Sequence, residues 1–327
     1  MTDVLILGGT GWLSGRIAER WLAAGASVTC LARGGRPAPA GAQVIVADRD
    51  APDAYDEARA REWDEVVDVS SRAAHVAAAM QALAGRARHV TYASSLSVYA
   101  DNDTPGADEH AALADPAEPG DEYDYSREKS AAEAAVRTAF PHRAAIVRPG
   151  LIVGEGDPSD RFGYWVGRFA LAGDGPVLVP DAPDARAQVI DVDDVAAFAV
   201  VLGQERFTGA VNIAGESLPL ADVIAAARAV AGHAGDLVPA PPEWLVAQGV
   251  AYWAGPRSLP LWLPEDMPGF ATRSIAAYRL LGGTPRPLSD TLARTLADEH
   301  ARGLTRERVS GLTRDEELDL IARRAAR

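Results

Sequence analysis

Short apolar runs alternate with helix-like stretches through the first half of the chain, and this alternation restricts the fold more than any other feature. Val4–Leu7, Val28–Leu31, Val44–Val46, Val66–Val69, His89–Ala93 and Ala145–Val147 read as six strands. Helical stretches lie between most of them, notably Ile17–Leu22, Ala73–Leu83 and Ser126–Thr138. Strands alternating with helices imply a parallel sheet covered on both faces. The runs show little polar alternation, which suits strands buried on both sides. The expected class is therefore α/β, a doubly wound parallel sheet. At 327 residues the chain exceeds one compact core, so a smaller lobe is expected beside the sheet.

After Pro149 the texture changes. Proline and glycine become dense between Gly150 and Arg186, at Pro158, Gly173, Gly175, Pro176, Pro180 and Pro183. Val189–Val192 and Val211–Ala214 read as further short strands, with helices at Val195–Leu202 and Asp222–Val230. Two helical pieces, Ser289–Ala301 and Arg314–Ala325, close the chain. The expected division is a main domain over 1–150, to which 186–216 returns. A partly discontinuous α+β substrate lobe covers 151–185 and 217–290, and C-terminal helices cover 291–327.

The net charge of −14 argues against non-specific binding to nucleic acid or anionic lipid, since both need clustered Lys and Arg. It leaves room for an anionic ligand held by local donors. The single cysteine, Cys30, forms no internal disulfide and reads as a buried strand residue rather than a nucleophile. The six His are scattered and no zinc spacing exists, so no metal is expected. The start Met1-Thr2-Asp3 lacks the basic, then apolar, pattern of a secretory signal, and no run approaches the ~20 apolar residues of a membrane span. A cytoplasmic protein with a small-molecule substrate is expected, as monomer or homodimer.

The first strand runs into Gly8-Gly9-Thr10-Gly11-Trp12-Leu13-Ser14-Gly15. Gly8 permits a tight turn, and Gly11 lets the backbone approach a pyrophosphate. The following helix aims its free N–H groups and positive dipole end at that anion. The third small position is Ser14 rather than Gly, still small enough for close helix–strand packing. A glycine-rich turn alone is a weak signal, but here it occupies the first strand–turn–helix unit of an alternating chain. A dinucleotide cradle is expected, against the plainer reading of an ordinary turn.

The end of the second strand chooses between cofactors. An acidic residue there would bind an adenosine ribose. This chain has Ala32-Arg33-Gly34-Gly35-Arg36, and Arg33 can clamp a 2′-phosphate by a charge-assisted fork. NADP is expected over NAD, against the plainer reading of a solvated loop arginine. After the third strand, Asp48 can accept from the adenine amino group, with Arg49 beside it, although a loop carboxylate capping the next turn competes with that role.

The fifth strand ends in Tyr92-Ala93-Ser94-Ser95-Leu96-Ser97-Val98-Tyr99, and thirty residues after Ser95 comes Tyr125-Ser126-Arg127-Glu128-Lys129. Tyr and Lys four apart share one face of a helix. A tyrosine with its ordinary pKa near ~10 is a poor base at neutral pH, and a nearby ammonium favours the phenolate. Such a phenol can exchange a proton with a substrate oxygen while hydride moves at the adjacent carbon. Each feature is common by chance. Their weight comes from order: glycine turn at the first strand, paired serines at the fifth, Tyr/Lys opening the next helix.

With these segments in hand, the chain resembles the extended branch of the short-chain dehydrogenase/reductase superfamily, the NAD-dependent epimerase/dehydratase family. The resemblance rests on Gly8-Gly9-Thr10-Gly11-Trp12-Leu13, Ser94–Tyr99, Tyr125–Lys129 and Val147-Arg148-Pro149-Gly150. It is firm over about residues 3–155 and looser at Val189–Val195 and Val211–Gly215. It implies a Rossmann-type sheet, Tyr125 as acid/base, Lys129 as its partner and Ser95 as donor to the substrate oxygen. It also implies that Ser70, Ser71 and Arg72 run beside the cofactor and that Pro149 lies near the nicotinamide. The chain departs from the family at Ser14. It also lacks the Asp-Glu pair after Ser95 that 4,6-dehydratases use, which argues against elimination. Gly150–Gly156 lacks the tyrosine usual in sugar-modifying members, and no clear set of residues for a nucleotide diphosphate appears in the second half, where Arg161, Arg168, Arg186 and Arg273 are candidates.

The leading expectation is an NADP-dependent reductase or dehydrogenase of a small carbonyl or alcohol. A sugar-nucleotide epimerase with tightly bound NAD(P) is the alternative, and a non-catalytic dinucleotide-binding sensor or scaffold the alternative of another class. Phe162, Tyr164, Trp165, Trp244, Trp253 and Trp262 suit either an aromatic wall for substrate or simple packing of the lobe.

Overall fold

The computed structural model describes residues 1–326. The chain folds as two compact units. The first comprises Met1–Gly150, Val192–Ala214 and Arg273–Thr284; the second comprises Leu151–Asp191, Gly215–Thr272 and Pro285–Arg327.

The first unit is built on seven strands: β1 (Asp3–Leu7), β2 (Ser27–Ala32), β3 (Gln43–Val46), β4 (Trp63–Asp68), β5 (Ala87–Ala93), β6 (Ala144–Pro149) and β7 (Gly209–Ile213). They lie in the order β7-β6-β5-β4-β1-β2-β3, every pair parallel. The chain starts in the middle, builds outward to β3, then returns past β1 to build the other half. This is a doubly wound Rossmann-type sheet, whose reversal beside β1 is where such sheets bind ligands.

Four helices cover it: α1 (Trp12–Ala23), α2 (Ala73–Leu83), α3 (Tyr125–Ala139) and α4 (Val192–Gln204). β1 shows why its sequence is continuously apolar. Val4 and Ile6 pack with Ile17, Trp21, Ala196 and Ala199 on one face. Leu5 and Leu7 pack with Met80, Leu83, Ala132 and Val136 on the other. Alternate residues point to opposite faces, so a strand with helices on both sides has no solvated position, and a polar side chain there needs a partner within the protein. β3 is an edge, and its Val46 is 71% exposed.

The boundaries differ from those expected in three places. Val189–Asp191 pairs with Leu151–Val153 inside the second unit, so the return to the first unit begins at Val192 and not at residue 186. Arg273–Thr284 belongs to the first unit, because Tyr278 buries its ring edge-on against Phe198 of α4, centroids 4.7 Å apart. The closing helices Leu288–Arg302 and Arg314–Ala325 are part of the second unit, into whose core Leu292 and Leu320 are buried.

That second core contains Phe162, Tyr164, Trp165, Trp244 and Trp262. Trp165 Nε1 donates to Pro260 O at 2.9 Å. Packing, rather than a substrate wall, accounts for these five rings. Trp253 is half-buried, edge-on to Phe270, with Arg161 over its face. Among the described residues, no helix is long and apolar enough to cross a membrane.

Candidate active site

The loop from β1 to α1 is a tight backbone cradle. Gly8 has φ +78°, and its amide donates to Leu31 O at 2.7 Å. A Cβ on Gly9 would sit 2.4 Å from Cys30 Sγ, so the turn lies directly on β2 and admits no side chain there. Gly11 caps α1, whose first turn contains no acidic residue. Ser14 does more than fit. Its hydroxyl donates to Gly8 O at 2.5 Å and accepts from Gly11 N at 3.1 Å, so it stitches the turn closed. A Cβ on Gly11 would lie 2.8 Å from that hydroxyl. A bare backbone at a helix N-terminus with no opposing carboxylate fits a pyrophosphate. Thr10, Trp12 and Leu13 flank the cradle, all partly exposed.

Beyond β2, Arg33 is exposed and makes no ion pair or side-chain hydrogen bond among the described residues. Asp48 is exposed and accepts from Asp50 N at 3.1 Å, the local turn role. Arg49, expected beside the cofactor, is engaged within the protein. Its guanidinium forks onto Asp68 at 2.9 and 2.6 Å, and also donates to Tyr55 OH at 2.8 Å and His75 O at 2.8 Å. All its donor nitrogens are thereby engaged within the protein.

Asp68, fully buried at the end of β4, links that pair to the next turn by accepting from Ser70 N at 2.9 Å. Ser70 O in turn accepts from Lys129 Nζ at 2.9 Å and from Tyr92 OH at 3.0 Å. Ser70 Oγ accepts from Arg72 N, and Arg72 reaches Asp50 on the surface. Ser71 is partly exposed beside them. Glu128 Oε2 accepts from Ala73 N, so the start of α3 caps the start of α2.

Tyr125 and Lys129 open α3. Asp124 caps the helix by accepting from Arg127 N at 2.9 Å. Tyr125 is 42% exposed, whereas Lys129 is 2% exposed. Lys129 Nζ donates to Ala93 O at 2.6 Å as well as to Ser70 O, and lies 5.9 Å from the Tyr125 ring centre and 4.8 Å from that of Tyr92. Burial pushes the Lys129 ammonium down to about 8, while Asp68 and Glu133 oppose that shift. Ser95, at the end of β5, is mostly buried, and its hydroxyl accepts from Ser97 N at 3.1 Å. Pro149 is buried and ends β6.

A second buried network was invisible in sequence. Arg148 forks onto Glu133, one turn beyond Lys129 on α3, at 2.9 and 2.7 Å. Its remaining nitrogen donates to Tyr99 OH at 3.0 Å and Glu109 O at 3.2 Å. Tyr99 OH donates to Asn212 Oδ1 at 2.5 Å. Helix α3 is thus tied to β6 by an ion pair, and onward through Tyr99 to β7 by hydrogen bonds, and not only by its apolar face.

The four arginines considered for a nucleotide diphosphate are engaged within their own units. Arg168 meets Leu312 O and Glu317, Arg186 meets Ser217, Arg273 meets Asp101 O and Asn102, and Arg161 meets Ser159 and Trp253.

Residues 74–214 match the model of the NAD dependent epimerase/dehydratase family. The chain is similar to that family over this segment. The matched segment contains Ser95, Tyr125, Lys129 and Pro149, and it begins after the glycine turn. No curated protein matches the chain by sequence. Solved structures share its fold along nearly its whole length. A putative epimerase from Burkholderia cenocepacia J2315 is 23% identical, with TM-score 0.72, over 92% of this chain and 98% of its own. UDP-N-acetylglucosamine 4-epimerase from Bacillus cereus is 17% identical, with TM-score 0.66, over 93% and 100%. UDP-glucuronic acid 4-epimerase from Bacillus cereus, in complex with NAD, is 16% identical, with TM-score 0.67, over 92% and 99%. These likenesses establish the fold along the chain.

Proposed function

We propose that this chain is an epimerase of a sugar nucleotide that keeps a nicotinamide dinucleotide bound through turnover. The observation that carries the hydride-transfer chemistry is the buried Lys129 ammonium, fixed by two main-chain carbonyls one helical turn from the exposed Tyr125 phenol. The ammonium favours the phenolate, so Tyr125 takes a proton from a substrate hydroxyl and later returns it. Ser95 donates to the same substrate oxygen. Two of the three Lys129 N–H groups are held by carbonyls, and the third serves the cofactor ribose. Gly8–Leu13 hold the pyrophosphate, and Ser70, Ser71, Arg72 and Pro149 flank the remainder of the cofactor. When bound, the nicotinamide supplies a hydride acceptor and donor. The sugar-nucleotide substrate rests on the fold neighbours, several of which are UDP-sugar 4-epimerases.

A second reading, an NADP-dependent reductase of a small carbonyl, is favoured by one specific observation. Arg33 stands exposed after β2, without a side-chain partner among the described residues, where a 2′-phosphate would meet it.

The test is to release and identify the nucleotide that copurifies, then incubate the protein with UDP-glucose, UDP-glucuronic acid and UDP-N-acetylglucosamine. The expected result is inversion of a sugar carbon, seen by NMR, without added cofactor and without net change in nicotinamide absorbance. Stoichiometric NADPH consumption with a simple carbonyl, and no inversion of any sugar, would replace the epimerase with the reductase.

A further inference from the structure

The second unit contains a cavity of about 600 Å³ lined by five arginines, Arg168, Arg257, Arg306, Arg308 and Arg314. None of them belongs to the glycine turn or to the Tyr125 site. Their neighbourhood is a deliberately built charge cluster. Glu299, 1% exposed, accepts from Arg308 at 2.6 Å and from Arg306 at 3.2 Å. Asp160 pairs with Arg302 and Arg306, and Glu317 pairs with Arg168 and Arg314. The helix Gly163–Ala172 makes room for it. A Cβ on Gly163 would lie 2.2 Å from Glu299 Oε1, and one on Gly167 would lie 2.4 Å from Arg308 Nη2. Glycine inside a helix costs about 1 kcal/mol relative to alanine. The chain bears that cost twice, four residues apart, to seat an ion pair.

The cluster is not internally satisfied. Arg168 Nε and Nη1, Arg306 Nε and Arg308 Nη1 are buried and have no hydrogen-bond acceptor among the described residues. Arg168 itself is 4% exposed, and its Nη1 approaches Glu317 Oε2 only as an ion pair at 3.4 Å. Buried guanidinium N–H groups left without acceptors are costly, and these four belong to three of the arginines that line the cavity, so the cluster is short of acceptors. Asp160, Glu299, Glu317 and, for Arg302, Asp298 oppose Arg168, Arg302, Arg306, Arg308 and Arg314, and Arg257 has its own partner in Glu316. Glu307, exposed at the cavity, balances the remaining charge, so the case for an anion rests on the guanidinium donors and not on net charge.

We propose that this cavity binds a small organic phosphate monoester. A phosphoryl group presents three acceptor oxygens, which suits donors on three separate arginines better than a carboxylate does. Leu171, Leu304 and Leu312 supply an apolar lining for the organic part, and the volume lies within the range of small-molecule sites.

Calorimetric titration of the full chain with phenyl phosphate, inorganic phosphate and benzoate tests this. Phenyl phosphate binds one per chain, inorganic phosphate binds more weakly, and benzoate binds weakest. Arg308→Gln weakens phenyl phosphate about tenfold or more, the loss of one charge-assisted hydrogen bond, whereas Arg88→Gln, at an exposed arginine of the first unit, leaves it unchanged. Absence of binding to the unaltered protein, equal binding by Arg308→Gln, or loss in Arg88→Gln would each overturn the proposal. If Arg308→Gln fails to fold, crystals of the unaltered protein grown with phenyl phosphate decide. Density against Arg308 supports the site, and density elsewhere or none refutes it.

Discussion

The buried arginines of the first unit and those of the second solve the same problem differently. Arg49 and Arg148 each fork onto one buried carboxylate, and their remaining donors end on a phenol or a main-chain carbonyl. Arg168, Arg306 and Arg308 share carboxylates and leave donors unmet. A fully satisfied buried ion holds its neighbours in one arrangement; a partly satisfied one leaves costly unpaired donors. In the first unit the held neighbours are the Ser70 turn and helix α3, which carry the contacts of Lys129. The ions there act as positioning elements. Those of the second unit are candidates for recognition.

This contrast breaks most visibly in stability. Arg148→Met leaves Glu133 buried without its fork, and is expected to cost about 3–5 kcal/mol, read from urea unfolding. Arg308→Met is expected to cost less, because Arg306 and Arg302 still face Glu299 and an unmet donor disappears with the side chain, whereas Glu133 would keep only the half-exposed Arg137. Equal losses for the two would remove the distinction between positioning and recognition.

A pH titration sharpens it within the first unit. Lys129 is depressed from 10.5 to about 8 by burial. Between those values the unfolded chain binds the proton that the folded chain has lost, so this group's contribution makes stability rise with pH across that window. Turnover moves the opposite way, since loss of the ammonium removes the charge that favours the Tyr125 phenolate. Activity should therefore decline above pH about 8 while the Lys129 contribution to stability grows, and Lys129→Met should abolish that part of the stability slope. Parallel decline of both, with no change in Lys129→Met, would mean that another group governs the profile.

The smallest expected effect concerns Arg33. Arg33→Ala should weaken NADP by about tenfold and leave NAD nearly unchanged, as measured by fluorescence titration, because one exposed charge-assisted contact is lost. Equal weakening of both would assign Arg33 a role other than meeting a 2′-phosphate.

Much of the fold was legible because its signals are local. The apolar run Val4–Leu7, the glycines after it and the helix that follows lie within a span of about twenty residues, and the seven-strand parallel sheet follows from repeating that unit. Tyr125 and Lys129 share a helix face for the same local reason. The Arg49–Asp68 fork was not legible, since its partners stand nineteen residues apart at the ends of different strands. One signal did exist: Asp68 interrupts the apolar run Val66–Val69, and a carboxylate in a doubly covered strand needs a cation. Likewise, Gly163 and Gly167 four apart in an otherwise bulky helix mark a close approach, though not what approaches. Boundaries in the second half depended on Tyr278 finding Phe198 across eighty residues, which no periodicity encodes.

The direct trial of the whole account is the Tyr125→Phe protein, assayed for sugar inversion and for dinucleotide affinity in one preparation. Removing only the phenol oxygen should lower turnover by about 10²–10⁴-fold and leave cofactor affinity and melting temperature as they were. Turnover within twofold of the unaltered protein would contradict the proton transfer assigned to Tyr125.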